Sequence, residues 1–286
     1  MIDYNNSFVM VGPAGVGKSV VSRELSKKTG LPVINFDILR GCPRTTEEID
    51  SRITTIKNQI KMIDMEIDKD SNDAVRFSLI KKRESLQNEI WVNEERRKLR
   101  ELMPNLPNYD DFGYSGDVSE FLRSKFGDVA WHYYQKQYEQ LLLEGVCEHF
   151  NGPAILDLGG GLPISLDSEY DKLRETFLEL SPELYYKHFN HLDKIGFDKV
   201  KSVIDRFDNV TYLKLPQDYS RHGTRASKDK LNQLFIASGN FETLATNIVP
   251  VDNLFVQDEN NNPKLNIEGL ESIVDNVIRG RVKRHE

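Results

Sequence analysis

The sequence predicts a three-layer α/β protein in which a parallel five-stranded sheet is covered by helices on both faces and carries a long helical insertion. Five short apolar runs of strand type alternate with helical stretches, the pattern of parallel sheets. A glycine-rich loop follows the first run, and isoleucines recur at heptad spacing inside the insertion. The candidate strands are residues 8–11, 31–36, 153–158, 209–215 and 245–252.

The composition limits which classes of protein the sequence can belong to. The 286 residues, 38% of them apolar and 29% charged, accommodate one domain with a large insertion. A net charge of −7 disfavours binding through nucleic-acid phosphates, so we expect no nucleic acid partner. Cys42 and Cys147 lie far apart and outside any zinc-binding spacing, which favours a reducing compartment. No signal peptide or membrane-length apolar run is visible, so we expect a cytoplasmic protein without membrane contact.

The first loop, Gly12–Ser19, reads GPAGVGKS and matches G-x-x-x-x-G-K-[ST] between a strand and a helix that Gly30 is expected to cap. Its glycines let successive backbone N–H groups point at phosphate oxygens, and the helix dipole adds positive charge. Lys18 can reach the outer phosphates, and the Ser19 hydroxyl suits Mg²⁺. We therefore predict ATP and Mg²⁺ as cofactors. The predicted nucleotide-binding residues are Gly12, Pro13, Ala14, Gly15, Val16, Gly17, Lys18, Ser19 and Val20.

The insertion, residues 45–107, is predicted to be an antiparallel helical hairpin within a core formed by residues 1–44 and 108–286. The alternative is a dimerisation coiled coil, and an exposed seam on the hairpin would let both occur, giving a homodimer. The seam positions are Ile49, Ile53, Ile56, Ile60, Ile63 and Ile67 in the first helix and Val75, Leu79, Leu86 and Ile90 in the second.

A second insertion, residues 167–207, has helical periodicity with a break at Ser181-Pro182. Its aromatic residues are expected to be core rather than a binding stack, and the stretch DENNNP further on is expected to be a surface loop. The aromatic residues in question are Tyr185, Tyr186 and Phe189.

The triple glycine, Gly159–Gly161, follows an apolar run that ends at Asp157 and allows three interpretations. It is a turn, a nucleotide loop of the methyltransferase kind, or a place where backbone approaches a ligand closely. Pro163 stands where the methyltransferase pattern has its third glycine, and the first loop already supplies a nucleotide site. Because parallel strands end at one edge of the sheet, Asp37, Asp157 and the triple glycine are expected to converge near the first loop.

Taken in chain order, the sequence resembles the shikimate kinase branch of the P-loop kinases. After the first loop comes INFD, where the family has D-x-D, and then residues 119–146, similar to its G-E-x-x-F-R-x-x-E segment. The triple glycine, VTYLKLP followed by SRHGTR, SGNFETLATNIVPVD, and the closing GLESIVDNVIRG complete the order. The resemblance implies a sheet ordered 2-3-1-4-5, an arginine-bearing lid, and an acceptor pocket lined by Asp37 and the triple glycine.

Three departures from the family pattern argue against shikimate as the acceptor. At the family's arginine this sequence has His132, Gln135 replaces the acid, and the arginine expected before Phe241 is missing. A histidine does not replace a bidentate arginine on a carboxylate. His132 would then bind a hydroxyl or phosphate of the acceptor, or serve only as a structural histidine.

These observations assign a role to each candidate residue. Lys18 and the loop amides hold the phosphates, while Asp37 orients or deprotonates the acceptor hydroxyl. Asp157 either helps Ser19 to hold Mg²⁺ or caps the glycine turn. One of the two lid arginines is expected to stabilise charge on the transferring phosphoryl group. The candidate catalytic residues are Lys18, Asp37, Arg221 and Arg225; the candidate acceptor-binding residues are Asp37, His132, Gly159, Gly160 and Gly161; and the candidate metal ligands are Ser19 and Asp157.

Two functions of different classes follow. The first is an ATP-dependent kinase that phosphorylates a hydroxyl of a small molecule, with an acceptor specificity different from that of the family it resembles. The second is a nucleotide-dependent switch or scaffold whose helical hairpin binds a protein partner.

Overall fold

The sheet has the predicted strands and the predicted order. The computed structural model describes residues 1–69, 72–188, 197–215, 230–257, 259 and 263–282. All neighbouring strands of the five-stranded sheet are parallel, and their order is β2-β3-β1-β4-β5. These strands are β1 Phe8–Val11, β2 Val33–Asn35, β3 Ile155–Asp157, β4 Asn209–Lys214 and β5 Asn247–Pro250.

Helices cover both faces of this sheet, and β1 shows why two layers are needed. Val9 and Val11 face one apolar cluster, whereas Phe8 and Met10 face the other, as the two-residue period of a strand requires. The helices are α1 Lys18–Thr29, α2 Phe36–Leu39, α3 Thr46–Lys69, α4 Asp73–Leu102, α5 Gly116–Phe126, α6 Asp128–His149, α7 Asp167–Leu180, α8 Pro182–His188, α9 Phe197–Ile204, α10 Lys230–Ala237, α11 Asn240–Leu244 and α12 Ile267–Val282.

The two faces of the sheet carry different helices. The first cluster is completed by buried residues of α6 and α7, including Tyr134 and Phe177. The second is completed by α1 and α12, through residues such as Leu25 and Val274. Helix α1 begins directly after the glycine loop, and Gly30 follows its last residue. Gly30 has a φ of 74°, and its N–H donates a hydrogen bond to the Ser26 carbonyl, so it is the predicted C-terminal cap.

Helices α3 and α4 form the antiparallel hairpin. Two ion pairs fix their relative direction, Asp64 with Arg83 and Asp50 with Arg97. The seam is only partly as predicted: Val75 is exposed. The pattern identifies which side of a helix is apolar but not how far along the helix that side is covered. The buried seam residues are Ile49, Ile53, Ile56 and Ile63, and the half-buried ones are Ile60, Ile67, Leu79, Leu86 and Ile90.

The base of the hairpin is continuous with the core of the protein. Ile49 and Ile53 of α3 and Leu99 of α4 belong to the same apolar cluster as the strands. The Arg96 guanidinium also donates to the Ile38 carbonyl, at 3.1 Å. The division at residues 45 and 107 therefore remains a proposal about domain organisation.

The remaining expectations have mixed outcomes. The helix break at Ser181 is confirmed, and Tyr185 is buried as expected, but Tyr186 is exposed and that prediction is wrong. Phe189 lies outside the described residues. The strands β6 Phe255–Gln257 and β7 Pro263–Leu265, which the sequence did not predict, pair antiparallel. The predicted surface loop DENNNP falls largely outside the described residues. No helix among the described residues is long and apolar enough to cross a bilayer.

Candidate nucleotide and acceptor site

The phosphate loop, Gly12–Ser19, adopts the conformation its glycines were predicted to allow. Gly12, Gly15 and Gly17 have φ values of 149°, 80° and 100°. Space also restricts two of these positions. A Cβ placed ideally on Gly12 would lie 2.9 Å from the Leu213 carbonyl oxygen, and one on Gly17 would lie 2.3 Å from a methyl carbon of Leu254. The loop between β1 and α1 therefore tolerates no side chain at these glycines without strain.

The Lys18 ammonium lies inside the phosphate loop. Its Nζ donates to the carbonyl oxygens of Gly12, at 2.8 Å, and Pro13, at 3.1 Å. The side chain is buried, and burial lowers the Lys18 pKa, while the carboxylates of Asp157 and Asp37 act to raise it. The two acids therefore favour the charged lysine that an ATP phosphate would need.

The candidate metal ligands, Ser19 and Asp157, are brought together by Asn35. The Asn35 amide nitrogen donates to the Ser19 hydroxyl at 3.2 Å and to the Asp157 carboxylate at 2.6 Å. Burial raises the pKa of Asp157 to about 6, although Lys18 and the Ser19 hydroxyl act to lower it. A hydroxyl and a carboxylate are oxygen ligands of the kind Mg²⁺ prefers.

The protein offers Mg²⁺ only part of a coordination shell. No group of three or more His, Cys, Asp or Glu side chains suited to a metal ion occurs within the described ranges. A magnesium ion held by Ser19 and Asp157 would therefore take its other ligands from nucleotide phosphates and water, as is usual for this ion.

The triple glycine is a point of contact between three parts of the site. An ideal Cβ on Gly159 would lie 2.9 Å from an Asp37 carboxylate oxygen. One on Gly160 would lie 2.7 Å from the Ala14 backbone nitrogen, and one on Gly161 would lie 2.7 Å from the His132 ring. None of these glycines has a positive φ, so close packing explains them and turn conformation does not. These close contacts are with protein groups, so the third interpretation, in which backbone approaches a ligand, stays a prediction.

Asp37 differs slightly from its predicted position at the end of a strand. Strand β2 ends at Asn35, whose side-chain oxygen accepts a hydrogen bond from the Ile38 amide at 3.0 Å and so starts α2. Asp37 lies in the first turn of this short helix, and its side chain is 60% exposed. The carboxylate lies 4.0 Å from the Arg40 guanidinium. It is accessible to a substrate and stays close to the phosphate loop.

A buried polar face of α6 lies beside the triple glycine. His132, Gln135, Lys136 and Glu139 recur at steps of three and four, so they share one side of the helix, and all four are buried. Gln135 donates to the Glu139 carboxylate at 2.7 Å, and Arg40 donates to it at 3.0 Å. The Lys136 ammonium and the His132 Nε2 have no hydrogen-bond partner in the part of the chain that the structure describes. Buried polar atoms in that state are uncommon in native proteins and indicate a place for a ligand or water.

Burial changes the protonation of this face. Burial lowers the Lys136 pKa to about 7, although the Glu139 and Asp167 carboxylates act to raise it. Burial also raises the Glu139 pKa to about 7, although the Arg40 charge acts to lower it. Burial also holds the His132 pKa well below its usual range, and the Lys136 charge adds to this effect. His132 is therefore a neutral hydrogen-bonding group at neutral pH and not a substitute for an arginine cation.

Sequence reasoning missed four residues that belong to this arrangement: Arg40, Lys136, Glu139 and Asn232. The i, i+3, i+4, i+7 spacing of polar residues in an aromatic helix would have identified the α6 residues. Nothing in the sequence identifies Asn232 of α10, which binds the Ala14 amide at 3.2 Å and the Ala14 carbonyl at 3.3 Å. The predicted lid residues, Arg221 and Arg225, lie outside the described residues.

Comparison with known proteins gives one short similarity. No family model matches the chain. The chain is 54% identical over 33 residues to a shikimate kinase of Leptospira borgpetersenii serovar Hardjo-bovis (strain JB197), and this match covers 12% of the chain and 18% of that protein. The parallel sheet order and the phosphate loop are consistent with a P-loop kinase fold. The short match extends the similarity to one such kinase, but it covers too little of either protein to assign activity.

Proposed function

We propose that this protein is an ATP-dependent phosphotransferase that acts on a hydroxyl group of a small molecule. The observation that carries the proposal is the triple glycine, which packs the phosphate loop, Asp37 and His132 against consecutive residues of one turn. A phosphoryl donor in the loop would then lie next to a carboxylate able to receive a hydroxyl proton. The short similarity to a shikimate kinase supports the same class of reaction.

In the proposed reaction, the chain contributes positioning and charge neutralisation. Lys18 and the loop amides bind the β- and γ-phosphates of ATP, and Ser19 and Asp157 would hold Mg²⁺. The metal, when bound, neutralises charge on the phosphates. The acceptor hydroxyl oxygen forms a bond to the γ-phosphorus, the bond to the ADP oxygen breaks, and the hydroxyl proton passes to Asp37. Arg221 or Arg225 would stabilise charge on the transferring group.

The acceptor pocket of this proposal differs from one built for shikimate. His132 and Gln135 are buried on α6 where the family has an arginine and an acid, and burial keeps His132 neutral. A neutral imidazole donates or accepts one hydrogen bond, but it does not neutralise a carboxylate. We therefore expect shikimate to be a poor substrate, and saturable phosphorylation of shikimate at micromolar concentration would contradict this.

A screen of sugars, polyols, nucleotides and cyclic acids, read as ADP release, tests the proposal. With an acceptor found, Asp37→Asn should lower kcat by about 100-fold or more while ATP affinity stays within about twofold. Asp117→Asn is the matched control, because Asp117 also lies exposed in the first turn of a helix but on α5. Equal activity of the two variants would remove Asp37 from the mechanism.

A nucleotide-dependent switch is the second candidate, and the base of α4 favours it. A cavity of about 320 Å³ is lined by Ser19 and Asp157 on one side and by Trp91 of α4 on the other. Arg23 of α1 lies 4.8 Å from the Trp91 ring. A change at the metal ligands could therefore reach the hairpin. This candidate is preferred if no acceptor raises ADP release while the hairpin binds a protein in only one nucleotide state. A homodimer through α3 and α4 remains a prediction, to be checked by light scattering over a range of concentrations.

A further inference from the structure

A second cavity lies at the base of the hairpin, and neither Ser19 nor Asp157 lines it. Its volume is about 470 Å³, and its walls come from residues 39–44, the start of α3, the end of α4 and residues 106–116. A space of this size accommodates a small metabolite. Neither the phosphate loop nor the triple glycine contributes to its lining.

The lining of this hairpin-base cavity is rich in arginine. Four arginines reach it against two acids, Glu48 and Asp110. Arg100 uses each of its three nitrogens in a hydrogen bond, to the carbonyls of Pro43 and Leu106 and to the Asn108 side-chain oxygen, and it forms part of the wall. The four arginines are Arg40, Arg44, Arg52 and Arg100.

The other three guanidiniums retain capacity for a ligand. Arg44 is half exposed and uses one nitrogen on Asp111. Arg40 uses Nη1 on Glu139, at 3.0 Å. Arg52 is exposed and makes no hydrogen bond or ion pair with any residue that the structure describes. Each guanidinium has five N–H donors in a planar fork, so these three lining arginines have more donors than the acceptors they bind among the described residues.

A buried tyrosine also lines this cavity. Tyr109 is 9% exposed, and its hydroxyl is buried without a hydrogen-bond partner among the described residues. The arginines outnumber the acids in the lining, and this excess of cations suits an oxygen-rich anion.

Arg40 connects this cavity to the candidate catalytic carboxylate. It lines the cavity, and its Nη2 lies 4.0 Å from the Asp37 carboxylate. A molecule with an anionic group among the arginines could therefore present another part of itself near Asp37. The arginines missing from the two family positions, at His132 and before Phe241, have counterparts here, contributed by the segment between α2 and α3 and by the hairpin.

We propose that the hairpin-base cavity binds a phosphate ester group of the acceptor, so that the substrate is a hydroxylated molecule that already carries one phosphate. A phosphate is favoured over a carboxylate because it offers three oxygens and about two negative charges to guanidiniums from the segment between α2 and α3 and from α3 itself. This inference rests on the proposed phosphotransferase function. It adds the class of acceptor and gives the helical insertion the role of recognising that class.

Two measurements with matched variants test it. Arg52→Ala removes a cavity cation that has no described structural partner, and Arg76→Ala removes an exposed arginine of the same hairpin that does not line the cavity. In the first measurement, inorganic phosphate is titrated into both variants and the wild type. The phosphate loop is intact in all three proteins, so only a difference between them reports on the cavity. Phosphate affinity should fall about tenfold in Arg52→Ala and stay within about twofold in Arg76→Ala.

In the second measurement, ADP release is followed with two sets of three acceptors whose members differ by one group: glycerol, glycerol phosphate and glycerate, and ribose, ribose phosphate and ribonate. The phosphorylated members should have at least about tenfold higher kcat/KM, and Arg52→Ala should raise their KM about tenfold while leaving the KM for ATP unchanged. Equal rates across each set, a preference for the carboxylates, or equal behaviour of the two variants would overturn the inference.

The outcomes separate this inference from the proposed function. If unphosphorylated and phosphorylated acceptors react at equal rates and Arg52→Ala changes no rate, the phosphotransferase function is supported and the phosphate site is refuted. If no acceptor at all releases ADP while phosphate binding still depends on Arg52, the phosphotransferase falls and the hairpin-base cavity remains an oxyanion site of another function.

Discussion

The phosphate loop and the α6–hairpin side of the site are built in different ways. In the loop, Lys18 bonds to two backbone carbonyls, and Ser19 and Asp157 are joined through Asn35, so these groups have protein partners. On the other side, the Lys136 ammonium and the Tyr109 hydroxyl are buried without hydrogen-bond partners among the described residues. A local motif forms one half, and side chains from distant segments form the other. We call the phosphate loop with Ser19 and Asp157 the candidate nucleotide half, and the α6–hairpin side the candidate acceptor half. We propose that the nucleotide half is preformed and that the acceptor half is completed by its ligand.

The largest expected effect comes from Lys18, in the nucleotide half. Lys18→Ala should lower ATP affinity or turnover by about 100-fold or more, because it removes the cation nearest the outer phosphates. Lys27→Ala, at an exposed position of the same helix, should change neither by more than about twofold. ATP titration and ADP release measure both variants. Near-normal turnover of Lys18→Ala would remove the assignment of the loop.

Neighbouring glycines should affect the two halves differently. In Gly160→Ala the new methyl group meets the Ala14 backbone nitrogen, so the phosphate loop must move and ATP affinity should fall about tenfold. In Gly161→Ala the methyl group meets the His132 side chain instead, and ATP affinity should stay within about twofold. Equal losses in the two variants would mean that the triple glycine is a single rigid turn and not a junction between separate parts.

Glu139 should contribute to the pH dependence of stability. Its pKa of about 7 exceeds the ordinary 4.5, so the folded state binds more protons than the unfolded state between these values. The contribution of Glu139 to the free energy of unfolding should therefore fall as pH rises from about 4.5 to 7. Glu139→Gln should reduce this fall by at most about 3 kcal/mol. The Lys136 pKa is lowered from 10.5 to about 7, so Lys136 affects stability above pH 7. Asp157 is present in both the wild type and Glu139→Gln, so its contribution is common to both curves.

Urea unfolding at several pH values measures this difference. A fall of the same size in the wild type and in Glu139→Gln would show that Glu139 keeps its ordinary pKa and that the polar face of α6 is hydrated.

The smallest expected effect concerns the link between α10 and the phosphate loop. Asn232→Ala removes two hydrogen bonds to Ala14 and should weaken ATP binding about fivefold, which corresponds to about 1 kcal/mol. Asn240→Ala removes a bond from the neighbouring helix to the Ser165 carbonyl and should leave ATP binding unchanged. No difference between them in calorimetry would show that the loop holds its shape without Asn232.

The nucleotide half could be predicted from sequence because its causes are local. Gly12 and Gly17 are needed for the backbone that follows a strand and begins a helix, and the apolar runs located all five strands of the main sheet. The acceptor half could not be predicted in the same way. Arg40, Arg52 and Tyr109 line one cavity because the base of the hairpin packs on the core. No residue spacing within a single segment predicts this arrangement.

Two structural misses have different causes. Val75 keeps the heptad spacing of a seam, but no described residue covers it and it is exposed. Strands β6 and β7 have only three residues each and flank an Asn-rich stretch, which leaves too short a pattern to distinguish them from a loop.

Calorimetric titration of the purified protein with ATP, with and without Mg²⁺, tests the central claim most directly. The phosphate loop with Ser19 and Asp157 predicts uptake of one purine triphosphate per chain, with an affinity that falls steeply when Mg²⁺ is removed and is lost in Lys18→Ala. Absence of any magnesium-dependent binding, or equal binding by the wild type and Lys18→Ala, would contradict it.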